Sequence, residues 1–511
     1  MRSKASVINA FSAVFMQAYL MLLNIISRRI IFNSLGTEYV GLSGLFSGIL
    51  EMLNLAELGL GTAIAYHLYH AFAIHSEEEA GRLTSFFSKA YIYIAGFIFI
   101  AGIGITPFIG KLMKEVPAIP WVSLIYILHV CDTAASYLLS SKRLVLQADQ
   151  KGYYLSFSRI IQQSASLVFT ILILNHTRNY ILYLIMRIGV HIAENAFICF
   201  YVNKRYPYLR KYRHSRLRED ERKGIADNVR AVLWVKIGDY FSTSIDIILV
   251  SKLCGVAATA VYSNAMLIIT SVRGLMNQMF QAVTASFANL MTSEREKSYE
   301  IFKVIYFTNF WVSSVCSICL FYLLNPFILL WLGKEYCVAE STVMILCFNF
   351  YILSMRNSAN IPRQAGGLYI YDRYASVAEA VINLVSSTIL GMKFGLDGIL
   401  LGTSITALSV QFLTVPYNVY RRLFKVKILN YYKCFISYMV KMSIAGLFVG
   451  MLLQYAVSDN MLITFILSGC ICFFGTNICL FFLTMGNKER RYLFSMITSV
   501  CKKGREKEGY V

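Results

Sequence analysis

The chain has 511 residues, of which 57% are hydrophobic and 15% charged, and its formal net charge is +20. A soluble protein of this length would carry more charge, whereas here apolar runs of about 20 residues recur from end to end, each long enough to cross a bilayer. The composition therefore indicates a polytopic membrane protein with little soluble mass, and the absence of a soluble domain argues against a nucleic-acid partner.

The apolar runs predict an all-α protein with about 14 transmembrane helices. The first run follows MRSK and continues to about Ile31, which is too long for a cleavable signal peptide and indicates a retained helix. The predicted spans lie near 8–33, 40–72, 86–112, 118–141, 155–174, 180–202, 229–251, 258–290, 303–324, 341–358, 375–394, 396–419, 432–457 and 461–485.

The distribution of Lys and Arg predicts the orientation. With the N-terminus inside, 36 of the 48 Lys and Arg residues fall in cytoplasmic segments and eight fall in outer segments. This bias follows the positive-inside rule and predicts that both termini are cytoplasmic.

A basic hydrophilic segment and an internal repeat divide the chain. Pro107-Phe108-Ile109 recurs as Pro326-Phe327-Ile328, an offset of 219 residues. A six-span unit repeated in the same sense predicts two pseudo-symmetric lobes with a cleft between them. The predicted parts are an N-terminal lobe (1–202), a basic cytoplasmic linker (203–228), a C-terminal lobe (229–422), two extra spans (423–485) and a basic tail (486–511). Besides setting topology, the linker could form a surface for anionic headgroups or a partner enzyme.

The second predicted span combines glycines with acidic residues. Gly41, Gly44 and Gly48 place small residues at helical spacing, where a neighbouring backbone can approach closely.

Glu51, Asn54 and Glu57 follow on one sector of the same predicted helix. Because an unpaired carboxylate in hydrocarbon is costly, these side chains are expected to face protein or a water-filled path. The Gly59–Leu60–Gly61 step predicts a weak point just past Glu57, which makes Glu57 and Glu51 candidates for gating.

Two motifs carry a resemblance to a known family. The pattern LGTEYVGLSGLF…LNLAELGLGTAI (Leu35 to Ile64) and NPFILLWLG (Asn325 to Gly333) resemble bacterial polysaccharide flippases of the multidrug/oligosaccharidyl-lipid/polysaccharide (MOP) superfamily. The resemblance implies a protein of the bacterial cytoplasmic membrane that moves an oligosaccharide on polyprenyl diphosphate to the outer leaflet by alternating access. It further implies no ATPase, coupling to a proton or sodium gradient and partners among polysaccharide polymerase and assembly proteins.

A diphosphate headgroup requires fixed cations in a low-dielectric cleft, and Arg can donate two parallel hydrogen bonds to phosphate. Arg28 and Arg29 lie late in the first span and either face the cleft or extend to the outer interface. Arg273 lies nearer mid-membrane in the eighth span. At the repeat offset Arg273 matches Asn54, so the two residues are expected to face each other across the cleft.

Charged residues in other spans are candidates for ion coupling. In the seventh span Lys236, Asp239 and Asp246 share one helical face, either as a structural ion pair or with a carboxylate in proton or ion coupling.

In the sixth span Arg187, His191 and Glu194 also share a face. They form either an ion-paired triad or a proton relay. His129 and Asp132 in the fourth span form a weaker polar stripe.

Two other functions remain open. A multidrug antiporter of the same fold would favour a carboxylate-rich cavity for its cationic substrates. A membrane glycan polymerase or ligase would need a large outer loop with catalytic residues, and the longest predicted outer segment has about 16 residues (325–340). The sequence shows no nucleotide-binding or catalytic motif, so we do not expect an enzyme, and the cysteines fit small buried apolar side chains rather than a metal site.

Overall fold

The computed structural model describes residues 2–57, 60–138, 140–149, 151–212, 215, 217–219, 225, 245–293, 297–371, 374–456, 458–493 and 495. Every regular element in these ranges is a helix, as expected where backbone groups cannot bond to water. The first eleven α-helices are α1 (Arg2–Leu35), α2 (Thr37–Leu53), α3 (Leu60–Ala73), α4 (Glu77–Ile105), α5 (Val122–Tyr137), α6 (Ser141–Ala148), α7 (Gly152–Thr177), α8 (Tyr180–Arg205), α9 (Tyr208–Lys211), α10 (Ile245–Leu253) and α11 (Val256–Ser293).

The remaining α-helices follow the same order along the chain. They are α12 (Ser298–Trp331), α13 (Glu340–Ala365), α14 (Ala375–Ala407), α15 (Val410–Asn418), α16 (Leu429–Leu453), α17 (Met461–Cys470) and α18 (Thr476–Leu483). Short 3₁₀ helices cover Asn54–Glu57, Thr106–Leu112, Lys334–Tyr336 and Leu368–Tyr371, and π-helical turns cover Val419–Phe424 and Ile471–Gly475.

The helices form two compact units. The first contains Met1–Met279 and Arg373–Thr406, and the second contains Phe280–Asp372 and Ala407–Val511. This division cuts across the predicted C-terminal lobe, whose helices are shared between the units. The lobes themselves stay a prediction, because part of their boundary at 203–228, and all of 226–244, lies outside the described residues.

The predicted spans coincide with helices in the described ranges. Nine helices or helix runs there are long and apolar enough to cross a membrane, and the bent pair α5–α6 makes a tenth. One run, Ala375–Phe424, covers two predicted spans, while α2–α3, α10 and α13 lie at the remaining three. About fourteen spans therefore fit the structure.

Two further spans differ from the helices that the sequence predicts. The second span is broken, because α2 ends at Leu53 and a 3₁₀ turn follows before α3. α12 continues through Pro326 to Trp331, beyond the predicted end at 324, since one proline removes a single helix hydrogen bond that packing can offset.

Helix α14 is a hairpin of two spans rather than one helix. Gly395 turns the chain with φ 60°, a conformation that glycine adopts without strain. Across the turn the Ser387 hydroxyl donates to the Ile399 carbonyl at 2.9 Å, and Ser386 donates to the Gly402 carbonyl at 3.2 Å. The predicted boundary between spans 375–394 and 396–419 therefore coincides with this turn.

Each unit has its own apolar interior. In the first unit, α2 contributes Leu42, Leu45 and Phe46, which are fully buried against α4 and α5. In the second unit, aromatic rings connect α12 with α16. Phe310 stacks on Tyr438 at 4.2 Å between ring centroids, and Tyr306 stacks on Tyr431 at 5.1 Å.

Candidate functional site

Arg28 lies on α1 and points toward α11 in the first unit. Its Nη2 donates a hydrogen bond of 3.0 Å to the Ser263 hydroxyl, and Ser263 is buried. The Arg28 Nε is also buried and has no hydrogen-bond partner among the described residues. Tyr180 and Tyr183 of α8 lie close enough to interact with this guanidinium. A half-buried arginine with an unused donor is suited to an anionic ligand.

Arg29, the next residue, is exposed on the surface of α1. Consecutive helix residues point about 100° apart, so only one of the two can face α11. The structure thus places Arg28 inside the unit and leaves Arg29 in the position expected of a side chain that extends to the interface.

The α2 glycines contact α10 and α11, as their spacing predicts. A Cβ atom on Gly41 would lie 2.2 Å from the Val256 carbonyl oxygen, and one on Gly48 would lie 2.3 Å from an Ile247 methyl group. A Cβ on Gly44 would lie 3.2 Å from the Ser263 Cβ. We call this contact of Gly41, Gly44 and Gly48 with Val256, Ser263 and Ile247 the glycine seam.

The glycine seam joins helices that the repeat assigns to different lobes. Close to it, the Lys114 backbone N–H donates to the Ser251 carbonyl at 3.1 Å, which ties the segment after α4 to α10. In the predicted orientation all these contacts lie on the outer side of the membrane. Because of them, α10 and the first part of α11 fall into the same compact unit as α1 to α9.

Glu57 lies at the break between α2 and α3. Its Oε1 accepts a 2.7 Å hydrogen bond from the Tyr91 hydroxyl of α4. The Tyr137 ring stacks on Tyr91 at 6.1 Å and also faces the Glu57 carboxylate. The helix is interrupted here by a 3₁₀ turn at Asn54–Glu57, before the predicted Gly59–Gly61 step; Gly59 lies outside the described residues, so the step itself stays a prediction.

Glu51 and Asn54 do not share the surroundings of Glu57. Glu51 is exposed, whereas Asn54 is half-buried and its Oδ1 has no hydrogen-bond partner among the described residues. Arg273 is half-buried on α11 and lies within electrostatic reach of Tyr262. The pairing of Asn54 with Arg273 across the cleft stays a prediction.

Asp132 of α5 organises a buried ion cluster with α8. Its Oδ2 accepts from the Arg187 Nε at 2.9 Å and from Nη2 at 2.5 Å, and its Oδ1 lies 2.6 Å from the His191 Nδ1. The Asp132 carboxylate therefore bonds to both basic side chains. His191 pairs with Asp132 on α5 and not with Glu194.

Glu194 bonds to two other helices. Its Oε2 accepts from the Arg143 guanidinium of α6, and its Oε1 accepts from the Ser158 hydroxyl of α7 at 3.0 Å. The predicted triad of Arg187, His191 and Glu194 is thus wrong as a set of mutual partners. The three residues do share a face of α8, but that face bonds to side chains of α5, α6 and α7.

Asp246 of α10 lies in a buried polar pocket beside the α14 hairpin. Its Oδ2 accepts a 2.7 Å hydrogen bond from the Thr403 hydroxyl, and the Asn383 amide donates to the same hydroxyl oxygen at 3.3 Å. The Asp246 Oδ1 and the Asn383 Oδ1 are buried and have no hydrogen-bond partner in the described part of the chain. Two unused oxygens beside a hydroxyl can coordinate a hard cation, and a protonated carboxyl could donate instead.

Lys236 and Asp239 lie outside the described residues, so their pairing stays a prediction. Several partners were not among the predicted site residues, namely Tyr91, Arg143, Ser158, Ser263, Asn383 and Thr403. No spacing within their own helices marks them.

Sequence comparisons give no match, since no protein-family model and no curated protein matches the chain. Solved structures do match. The lipid II flippase MurJ, in an inward closed conformation, has a TM-score of 0.68 at 14% identity, over 94% of this chain and 99% of MurJ.

Multidrug-type transporters of the same superfamily also match. An inward-facing multidrug resistance MATE family transporter of the MOP superfamily has a TM-score of 0.59 at 13% identity, over 81% of this chain and 98% of its own. A MOP superfamily transporter from Pyrococcus furiosus, described by a reversed polarity of its binding pocket, has a TM-score of 0.58 at 15% identity. The match covers 82% of this chain and 95% of that transporter.

At these identities the likeness establishes the fold. The chain is a multi-pass membrane protein with the fold of MOP-superfamily transporters, as the motifs at 35–64 and 325–333 indicate. The three structures named here are one flippase and two transporters.

Proposed function

We propose that this protein moves oligosaccharides linked to polyprenyl diphosphate from the inner to the outer leaflet of the bacterial cytoplasmic membrane. The observation that carries the proposal is Arg28, a half-buried cation on an apolar helix with an unused Nε donor. A diphosphate supplies negative charge and hydrogen-bond acceptors, which this cationic side chain requires. The match to a lipid II flippase over nearly the whole of both chains supports a lipid-linked substrate.

The glycine seam supports alternating access. In the predicted orientation it closes the outer side, and Arg28 contributes to that closure through its bond to Ser263. A substrate diphosphate that bound Arg28 would compete with Ser263 for the guanidinium. Substrate entry would therefore weaken one contact that keeps the outer side closed. The break between α2 and α3, at Glu57, would allow α3 to move separately from α2.

Ion coupling is assigned to Asp246. The pocket of Asp246, Asn383 and Thr403 offers two unpartnered oxygens among the described residues, which suits a sodium ion or a proton. His191 and Glu194 are less suited to a relay, because each already has a partner of opposite charge on another helix: Asp132 for His191 and Arg143 for Glu194.

The proposed setting is the bacterial inner membrane, with both termini cytoplasmic and glycan polymerase or assembly proteins as neighbours. The orientation rests on the Lys and Arg distribution. The partners rest on the family resemblance.

Adjacent arginines provide a matched test. In a strain that lacks the endogenous gene, Arg28→Gln should reduce surface polysaccharide at least ten-fold and cause lipid-linked oligosaccharide to accumulate, since a lost charge-assisted bond is worth about 1.5–3 kcal/mol. Arg29→Gln changes the same charge one residue away on an exposed face and should export normally. Equal export by both variants, at equal protein levels in the membrane, would refute the cationic site.

The coupling residue is tested separately. Asp246→Asn keeps the shape of the side chain but removes its charge, so it should abolish the dependence of transport on the sodium or proton gradient. Asp459→Asn, at an exposed position outside the spans, is the control. Unchanged gradient dependence in Asp246→Asn would exclude this residue from coupling.

A further inference from the structure

A basic segment connects α15 to α16 in the second unit. Residues 421–433 contain five cations and no acidic residue: Arg421, Arg422, Lys425, Lys427 and Lys433. All five side chains are exposed, and none forms an ion pair with a carboxylate in the described part of the chain. The segment lies on the predicted cytoplasmic side, directly below two spans.

Aromatic side chains hold this segment in place. Phe424 is half-buried, and its ring lies 5.1 Å from that of Phe302 and 5.2 Å from that of Tyr299. Tyr420 is buried and contacts Tyr431 at 5.8 Å. The cations therefore project from a pinned backbone and not from a free loop.

The backbone is also unusual. Val419–Phe424 forms a π-helical turn that ends at Lys425 in the left-handed region, with φ 55°. The Val426 N–H donates back to the Tyr420 carbonyl at 3.0 Å and closes the turn. Left-handed backbone is costly for a residue with a side chain, and π-turns recur at functional sites.

Arg422 is oriented with its hydrogen-bonding edge open. The guanidinium carbon lies 3.7 Å from the centroid of the Tyr371 ring, so Tyr371 covers one face. Its Nε donates to the Asn418 Oδ1 at 3.4 Å, and its two Nη atoms have no hydrogen-bond partner among the described residues. An arginine stacked in this way presents two parallel donors, the arrangement that binds one phosphate group.

We propose that residues 417–433 form a binding surface for anionic phospholipid headgroups of the cytoplasmic leaflet. Arg422 takes one phosphate through its Nη atoms, and Arg421, Lys425, Lys427 and Lys433 supply the surrounding positive charge. A surface that only set topology would need the charges but not the stacked arginine, the π-turn or the aromatic anchors. Each basic residue near an anionic membrane surface contributes about 1 kcal/mol, or about five-fold in binding.

The test uses the purified full chain and native mass spectrometry with added phosphatidylglycerol. Arg422→Gln should weaken phosphatidylglycerol binding about five-fold, and the four-site variant Arg421→Gln, Arg422→Gln, Lys425→Gln, Lys427→Gln roughly 100-fold or more. Phosphatidylcholine should bind equally to all variants. Binding should also fall as salt rises from 0.1 M to 1 M, because the Debye length shortens from about 10 Å to about 3 Å.

A matched control removes the same charge from the predicted outer side. It replaces four exposed lysines by Gln: Lys111, Lys114, Lys334 and Lys393. Phosphatidylglycerol binding should persist in this control, and an equal loss in both four-site variants would overturn the proposal. If the four-site variant of the basic segment does not insert into the membrane, the result for Arg422→Gln alone tests the proposal, since this variant keeps the other four cations. Displacement of phosphatidylglycerol from this surface by a soluble polyprenyl diphosphate at a concentration far below that of the phosphatidylglycerol would assign it to the transported lipid and also overturn the proposal.

Discussion

Replacement of Gly41 by alanine tests the glycine seam with a single added carbon. The new Cβ would lie 2.2 Å from the Val256 carbonyl oxygen, against an ordinary contact distance of at least 3.4 Å, so α2 must move about 1 Å away from α11. Val256 contributes backbone here and cannot rotate aside. Overpacking of this kind costs about 1–3 kcal/mol, which corresponds to a shift of roughly 5- to 150-fold toward the state open on the outer side.

A buried reporter thiol measures that shift. Ala260 is fully buried on α11 within the same core, so Ala260→Cys should react with a membrane-impermeant maleimide only when the seam opens. In a background without the native cysteines, Gly41→Ala should raise the labelling rate at least five-fold. Gly44→Ala, with a 3.2 Å contact, should raise it less, and Gly104→Ala, with nothing within 4 Å, should leave it unchanged. Equal labelling in Gly41→Ala and Gly104→Ala would refute the role of the seam in closure.

Three further predictions concern charge and topology. Arg273→Ala should abolish glycan export while the protein still reaches the membrane, and normal surface glycan would contradict a cationic cleft at this residue. Glu57→Gln should lower export about ten-fold, because it removes the charge that Tyr91 bonds, whereas the exposed Glu51→Gln should have little effect; comparable export by both would contradict gating by Glu57. Reporter fusions at Ser215 and Arg505 should both give cytoplasmic signals, and an outer signal from either would require a different number of spans.

Local sequence features predicted much of the fold. Apolar length located the spans, and the predicted boundary between 375–394 and 396–419 coincides with Gly395, where α14 turns back. The spacing of Gly41, Gly44 and Gly48 predicted close helix packing, and the structure supplies it. These features depend on residues near one another in the chain, so they can be read without knowing which helices are neighbours.

The partners in the candidate site could not be predicted in the same way. Helical periodicity places Arg187, His191 and Glu194 on one face, but it does not show that this face contacts α5 at one end and α6 at the other. Asp132 lies more than 50 residues from Arg187 in the chain. From the sequence alone, other carboxylates are equally plausible partners for this arginine. The choice between mutual pairing and pairing with another helix is made by tertiary packing alone.

The short helix α10 connects two features that lie on different faces of it. Ile247 packs into the glycine seam, and its neighbour Asp246 bonds Thr403 on the α14 hairpin. Asn383 and Thr403 are held together by that local hairpin, so their spacing does not depend on whether the seam is closed. A cation at Asp246 and closure of the seam would then act on the same nine-residue helix. Thermodynamic linkage makes this effect reciprocal: the factor by which ion binding favours closure equals the factor by which closure tightens ion binding.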